Sequence, residues 1–176
     1  MITRDTVLFN DINDSGIMSI FMYSKREKKF SPVYKAKFPG TNLKFCRVKD
    51  DLIIGEFSLD GVSVGSSIYK LPLFSNENFN NQSQLYTSEL DDIGNLVCSN
   101  EDVYFIKTIT QKKVLNIKVT EVAKLNLKSN KIKILTDLRY VTNIVNMDGT
   151  ILVPFREKYY VAEGKSRLND DKLIKN

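Results

Sequence analysis

Apolar and polar residues alternate through this chain in short runs bounded by charged or glycine-containing turns, a period-2 grammar that predicts β-strands from end to end. The run KDDLIIGEF at 49–57 has counterparts in TRDTVLFND at 3–11, NEDVYFIKT at 100–108 and MDGTILVPF at 147–155. Aligning them places Val7, Leu52, Val103 and Ile151 at one position, at intervals of 45, 51 and 48 residues. A recurrence of this length must be weighed before any local reading, because it decides the architecture.

Each unit has the same parts. A short apolar segment (43–48, 94–99, 141–146) leads into a polar turn, KDD, NED or DGT, and then the strand just described. A second β-branched or aromatic run follows at 19–24, 67–73, 121–127 and 159–163, and a last one at 29–36, 83–88, 131–138 and 172–176. The stretch 111–131 holds enough apolar residues for a helix, but its tail VAKLNLKSNKIKIL alternates around a KSNK turn and reads as a hairpin. The pattern predicts four antiparallel strands per unit, with approximate units 1–40, 41–90, 91–140 and 141–176 in a single repeat domain.

Four strands in each 40–50 residues resembles the blade of a β-propeller. The units lack the Trp-Asp and Gly-His marks of WD repeats and the paired glycines of kelch repeats. They are similar to the degenerate propellers, TolB-like ones included, in strand grammar alone. The resemblance implies an all-β fold of four blade-like antiparallel four-stranded units, part of a β-propeller; an irregular β-sandwich is the alternative. Two features cut against regular blades. Pro72 and Pro154 fall inside strands, where proline removes a ladder donor, and the first unit has no room for its innermost strand. A partner surface, from a longer chain or from self-association, is expected to complete the ring, because closure is what removes exposed edges.

Composition narrows the class. With 42% hydrophobic and 27% charged residues the chain is globular rather than disordered. No apolar run approaches the ~20 residues that span a bilayer, so no membrane association is expected. The N-terminus shows no basic segment followed by an apolar stretch, which makes a cytoplasmic address the expectation unless the chain belongs to a longer protein. Cys46 and Cys98 have no CxxC spacing; buried free thiols are expected, with a structural disulfide as the alternative.

The absence of histidine removes Ser-His-Asp and Cys-His catalysis and the commonest zinc ligand. No P-loop or GxGxxG follows a strand, and GVSVGSS at 61–67 reads as a loop between strands. Asp11 and Asp14 lack the closing glutamate of a calcium loop, since Met22 stands in its place. The acid pairs at 50–51, 91–92 and 101–102 lie at strand turns, which favour them for conformational reasons. Basic clusters stand at 25–29, 112–113 and 128–133, of which the first and third read as turn and edge-strand lysines. Sequons stand at Asn13 and Asn81.

By the blade grammar, binding residues gather on the loops between units and between the second and third strands of a unit. Lys37, Asp60, Arg139, Tyr140 and Arg156 fall there and are the candidate binding residues; no catalytic or metal-binding residue is assigned. The expected function is that of a non-enzymatic propeller-type module that binds a protein or completes a ring by self-association, without a cofactor. The alternatives are a domain of a propeller enzyme with active residues in the funnel or in another domain, and a weak nucleic-acid binder.

Overall fold

The polar turns of the repeat are where the chain reverses. A computed structural model describes residues 5–58, 65–73, 82–89, 91–111, 117–136, 141, 143–155, 158–163 and 173–175. Its strands are β1 (Thr6–Ile12), β2 (Met18–Ser24), β3 (Lys29–Lys35), β4 (Thr41–Val48), β5 (Asp51–Ser58), β6 (Ser66–Pro72), β7 (Ser83–Ser88) and β8 (Asp91–Ser99). They continue as β9 (Asp102–Gln111), β10 (Ile117–Asn126), β11 (Ile132–Thr136), β12 (Val145–Met147), β13 (Thr150–Phe155), β14 (Lys158–Glu163) and β15 (Leu173–Lys175). Consecutive strands pair into four antiparallel sheets, β1-β2-β3, β4-β5-β6-β7, β8-β9-β10-β11 and β12-β13-β14-β15. The first sheet has three described strands where the others have four, as the alignment of the units expects. The chain divides into two compact units, residues 1–87 and 88–176.

The repeat is also written in turn chemistry. The pairs Val48↔Asp51, Ser99↔Asp102 and Met147↔Thr150 each leave two residues to reverse the chain. The first of these has a left-handed backbone every time, with φ of 55° at Lys49, 54° at Asn100 and 49° at Asp148. Gly149 follows at φ 83°, so the last of the three has the two positive-φ residues of a type I′ turn. The turns into β3 and β11 match as well: Ser24 Oγ accepts from the Glu27 amide, and Asn126 Oδ1 from the Ser129 amide. Lys28 and Asn130 then take φ of 51° and 53°.

The acids at these turns are structural. Asp51 pairs with Lys70 at 2.8 Å and Asp102 with Lys124 at 2.9 Å. The two pairs are equivalent diagonals across β5–β6 and β9–β10, since Lys70 faces Ile53 and Lys124 faces Tyr104. Lys124 also binds Glu163 of β14 at 2.7 Å, and its ammonium lies 5.6 Å from the Tyr104 ring centre.

In the first unit one face of β1–β3 contributes Leu8, Ile20 and Val33 to a core completed by Leu43, Leu52, Ile54 and Leu71 of the next sheet. In the second, Tyr104, Ile106 and Val122 pack with Val141, Ile144, Ile151 and Val153. Each such side chain contributes about 1.5–3 kcal/mol on full burial. Asparagines join the two sheets of the second unit: Asn95 donates to Asn143 Oδ1 and to the Ile144 carbonyl, and Asn146 to the Cys98 carbonyl at 2.8 Å.

Three sequence expectations shift. β8 begins at Asp91 rather than at 94, because a bulge between Ile93 and Leu96 carries the ladder past Gly94, whose missing Cβ would sit 3.4 Å from that of Ile106. β12 starts at Val145 rather than 141, since the Asn143 side chain already satisfies the Ile144 amide. The free thiols expected of Cys46 and Cys98 are not found; both cysteines are disulfide-bonded, the alternative reading. The prolines do not break the sheets. Pro72 is the last residue of β6, and Pro154 lies two residues past Leu152, where the pairing of β13 with β12 ends.

Among the described residues no helix is long and apolar enough to cross a membrane, a statement that leaves β-barrels aside. No cluster of three or more metal-ligating side chains occurs among them either. Asp11 and Asp14 flank a plain turn closed by Asn13, whose Oδ1 accepts from the Ser15 and Ile17 amides.

Candidate binding cleft of the first unit

Tyr34, at the end of β3, marks where the first sheet changes course. A bulge between Ile20 and Phe21 of β2 gives β3 one extra residue, so the register passes from Phe21↔Pro32 to Ile20↔Tyr34. That extra residue turns Tyr34 into the core, where it is 5% exposed. Its hydroxyl donates to Glu56 Oε2 at 3.3 Å, and the Lys37 amide donates to Glu56 Oε1 at 3.1 Å. Glu56 is itself buried, so a carboxylate at the end of β5 fastens the loop that leads from β3 to β4. The Lys37 ammonium leans over the ring of Tyr69 in β6, 5.5 Å from its centre.

Two hollows meet at Lys37. The larger, about 590 Å³, is lined by Asn13, Ser19, Phe21, Pro32, Lys35 and Gln82 together with Tyr34 and Lys37. The smaller, about 120 Å³, lies between Lys37, Phe38, Thr41, Glu56, Ser67 and Tyr69, with Gly65 at its edge. The larger has the volume and the mixture of aromatic wall and few polar groups found in ligand and peptide-side-chain sites.

The large cleft is one end of an aromatic face. Opposite the core residues Leu8, Ile20 and Met22, the alternating positions carry Phe9, Phe21 and Tyr23, joined by Phe30 of β3. Phe9 stacks on Phe21 at 5.8 Å and meets Phe30 edge-on at 6.0 Å, while Tyr23 and Phe30 lie 4.7 Å apart. Phe30 remains 62% exposed. A sheet face turned to water ordinarily carries polar side chains at such positions.

Burial, then the charges of Glu56 and Tyr69 and the hydrogen bond to Glu56, push the Tyr34 hydroxyl far above the ordinary phenol range. It serves as a donor and not as a base. In the second unit, burial and the charge of Glu163 push Tyr104 up to about 12. Phenols of the unfolded chain ionise near 10. The stability that these two confer is therefore whole below about pH 10 and is lost above it, for Tyr104 between pH 10 and about 12. A tyrosinate absorbance titration of the 8 tyrosines should show two that do not ionise until the fold opens. Smooth ionisation of all of them around pH 10 would contradict this geometry.

Of the candidate residues read from the sequence, Lys37 lies at the cleft. Asp60, Arg139, Tyr140 and Arg156 lie outside the described residues, as do Lys112, Lys113 and Asn81. Sequence reasoning missed Tyr34, Glu56, Tyr69 and the aromatic face. A signal for Glu56 was present: a lone carboxylate in the apolar run LIIGEF needs a buried donor. The aromatics gave none, because Phe9 and Phe21 fit either face of a strand until the register is known.

Comparison with protein-family models and with curated proteins gives no match. Among solved structures, one from a study of two prolyl endopeptidases, proteins with a β-propeller domain, matches with a TM-score of 0.58 at 10% identity. The match covers 88% of this chain and 24% of that one, so the chain spans about a quarter of the endopeptidase. At that identity the likeness is one of fold: the chain is an all-β protein of four blade-like antiparallel sheets, as in a β-propeller.

Proposed function

We propose that this chain is a non-enzymatic propeller-type module, its units of the degenerate kind, that binds protein through the cleft and aromatic face of its first sheet. The reading rests on one observation. Phe9, Phe21, Tyr23 and Phe30 hold outward positions of that sheet and run into a cleft of about 590 Å³ that Lys35 and Lys37 help to line. An apolar wall beside two ammonium groups suits a protein segment that pairs an aromatic or aliphatic side chain with a carboxylate.

Selection of a displayed peptide library on the intact chain tests this. Enriched peptides should combine an acidic and a large apolar residue. Phe21→Ser should weaken them at least ten-fold and Lys37→Glu several-fold. If nothing is enriched, or if both variants hold the same peptides as tightly, the cleft is not a protein-binding site.

A second reading is favoured by the fold likeness: the module forms the propeller part of a larger enzyme whose reacting groups lie in another domain. A disulfide-bonded pair of cysteines also suits an oxidising compartment better than the cytosol.

A further inference from the structure

We infer that the protein segment received by the cleft is the C-terminal end of a partner polypeptide: a large apolar last residue, preceded by an acidic one, with its main-chain carboxylate held by lysine. The inference rests on the cleft being a protein-binding site and names what enters it.

The cleft lies where the aromatic face stops. An extended segment that passes Phe30, Phe9 and Phe21 arrives there. Three pieces of chain meet it: Asn13 of the β1–β2 turn, Lys37 of the β3–β4 loop and Gln82 just before β7. The turn and the loop are tied to each other, since the Gly40 amide donates to the Gly16 carbonyl at 3.1 Å. Glu56 fastens the loop in turn through the Lys37 amide. A segment in transit has to turn away at this end of the sheet, whereas a chain end does not. Strands of seven residues make the face about 20 Å long, room for about six extended residues.

Charge within the cleft selects the group that enters. Ala36 is 3% exposed, and Lys35 and Lys37 on either side of it are exposed, the alternation of an extended chain. Their Cα atoms are therefore about 7 Å apart on the cleft side. Asn13 turns its Oδ1 to the Ser15 and Ile17 amides, which leaves its Nδ2 to the cleft as a donor. No carboxylate belongs to the lining. Glu56 borders the smaller hollow, with one oxygen on the Tyr34 hydroxyl and the other on the Lys37 amide. Asp11 and Asp14 stand at the same end of the sheet but off the lining, and Asp11 accepts from the Ile12 amide. With these acids counted, this end of the sheet carries no excess of positive charge. Nothing draws an acidic partner from a distance, and selection falls to the lining itself.

Two ammonium groups at that spacing, one of them steadied over the Tyr69 ring, fit two carboxylates a similar distance apart. Consecutive residues at a chain end supply them: an acidic side chain, then the terminal carboxylate of the last residue. The last side chain then lies against Phe21 and Pro32. A single internal acidic residue fills one of the two places.

An array of synthetic hexapeptides probed with the full chain tests this, each peptide offered once with a free C-terminal carboxylate and once as the amide. Peptides ending in Asp or Glu followed by Phe, Leu or Ile should retain the chain, and amidation should weaken them at least ten-fold. Lys35→Gln/Lys37→Gln changes two exposed positions and should keep the unmodified circular dichroism. That variant should hold the free acids no better than the amides. Free acids and amides held equally by the unmodified chain, or a preference for the free acid that survives in the double variant, would overturn the inference. If amidated peptides with an internal acidic residue bind just as well and are lost on Lys37→Glu, the protein-binding reading stands and only the chain end is wrong. If no peptide of either form binds, both fall.

Discussion

Phe105→Ala is expected to cost the fold about 3–5 kcal/mol, a large share of the roughly 5–15 kcal/mol that holds an ordinary domain folded. Phe105 is fully buried in β9, a central strand of its sheet, and is the largest fully buried side chain among the described residues. Its direct cross-strand partners are Ala123 of β10 and Leu96 of β8. Ala123 is small and itself 0% exposed, so the ring occupies room that its neighbour leaves, and nothing on that side can reach across to refill it. On the other side, the bulge between Ile93 and Leu96 and the close approach of Gly94 to Ile106 hold β8 in place. The cost should therefore fall at the upper part of the range for such truncations. Urea unfolding measures it; a loss under about 1.5 kcal/mol would mean that the site collapses and that the packing described for β8–β10 is wrong.

The second large effect is electrostatic. Lys124→Met keeps the length of the side chain and removes its charge, leaving Glu163 without the ammonium that binds its Oε1. Asp102 keeps the amide of Asn126 at 2.7 Å, but Glu163 Oε2 is buried with no hydrogen-bond partner. An abandoned buried carboxylate costs about 3–5 kcal/mol, and partial exposure of Glu163 at 38% screens this toward about 2–3 kcal/mol. Burial alone would lower the pKa of Lys124, yet its hydrogen bonds to Glu163 and Asp102 raise it above the ordinary lysine range. The stability tied to that proton is complete below about pH 10.4, the unfolded value, and is lost as pH rises through the higher folded one. At neutral pH the variant bears the full loss. Above about pH 10.4, as that proton is lost, the gap between variant and unmodified chain should narrow. A gap that does not change with pH would show that Lys124 acts by packing alone.

Much of this architecture was legible in the residues because the chain states it several times. Leu52, Val103 and Ile151 recur at one position, each after a two-residue turn, and period-2 alternation carries the register outward from there. A hairpin is a local object, so local sequence suffices to place it. The bulges were not legible. The extra residue in β3 brings Tyr34 inward opposite Ile20 while Val33 is buried as well, and nothing in FSPVYK distinguishes that spelling from a regular strand. Lys37 could be proposed from the loop it occupies. That Glu56 and Tyr69 meet it there could not, because they come from two strands of another sheet.

The sequence by itself determined the strands, their turns and their grouping into blade-like units, since each depends on residues within a few positions of one another. Tertiary structure alone decided which face of the first sheet is core and which is aromatic surface, that Tyr34 and Glu56 meet, and that Lys124 is held between two carboxylates. The reason is physical. Alternation defines two faces of a strand without naming them, and only packing against a second sheet makes one of them the inside.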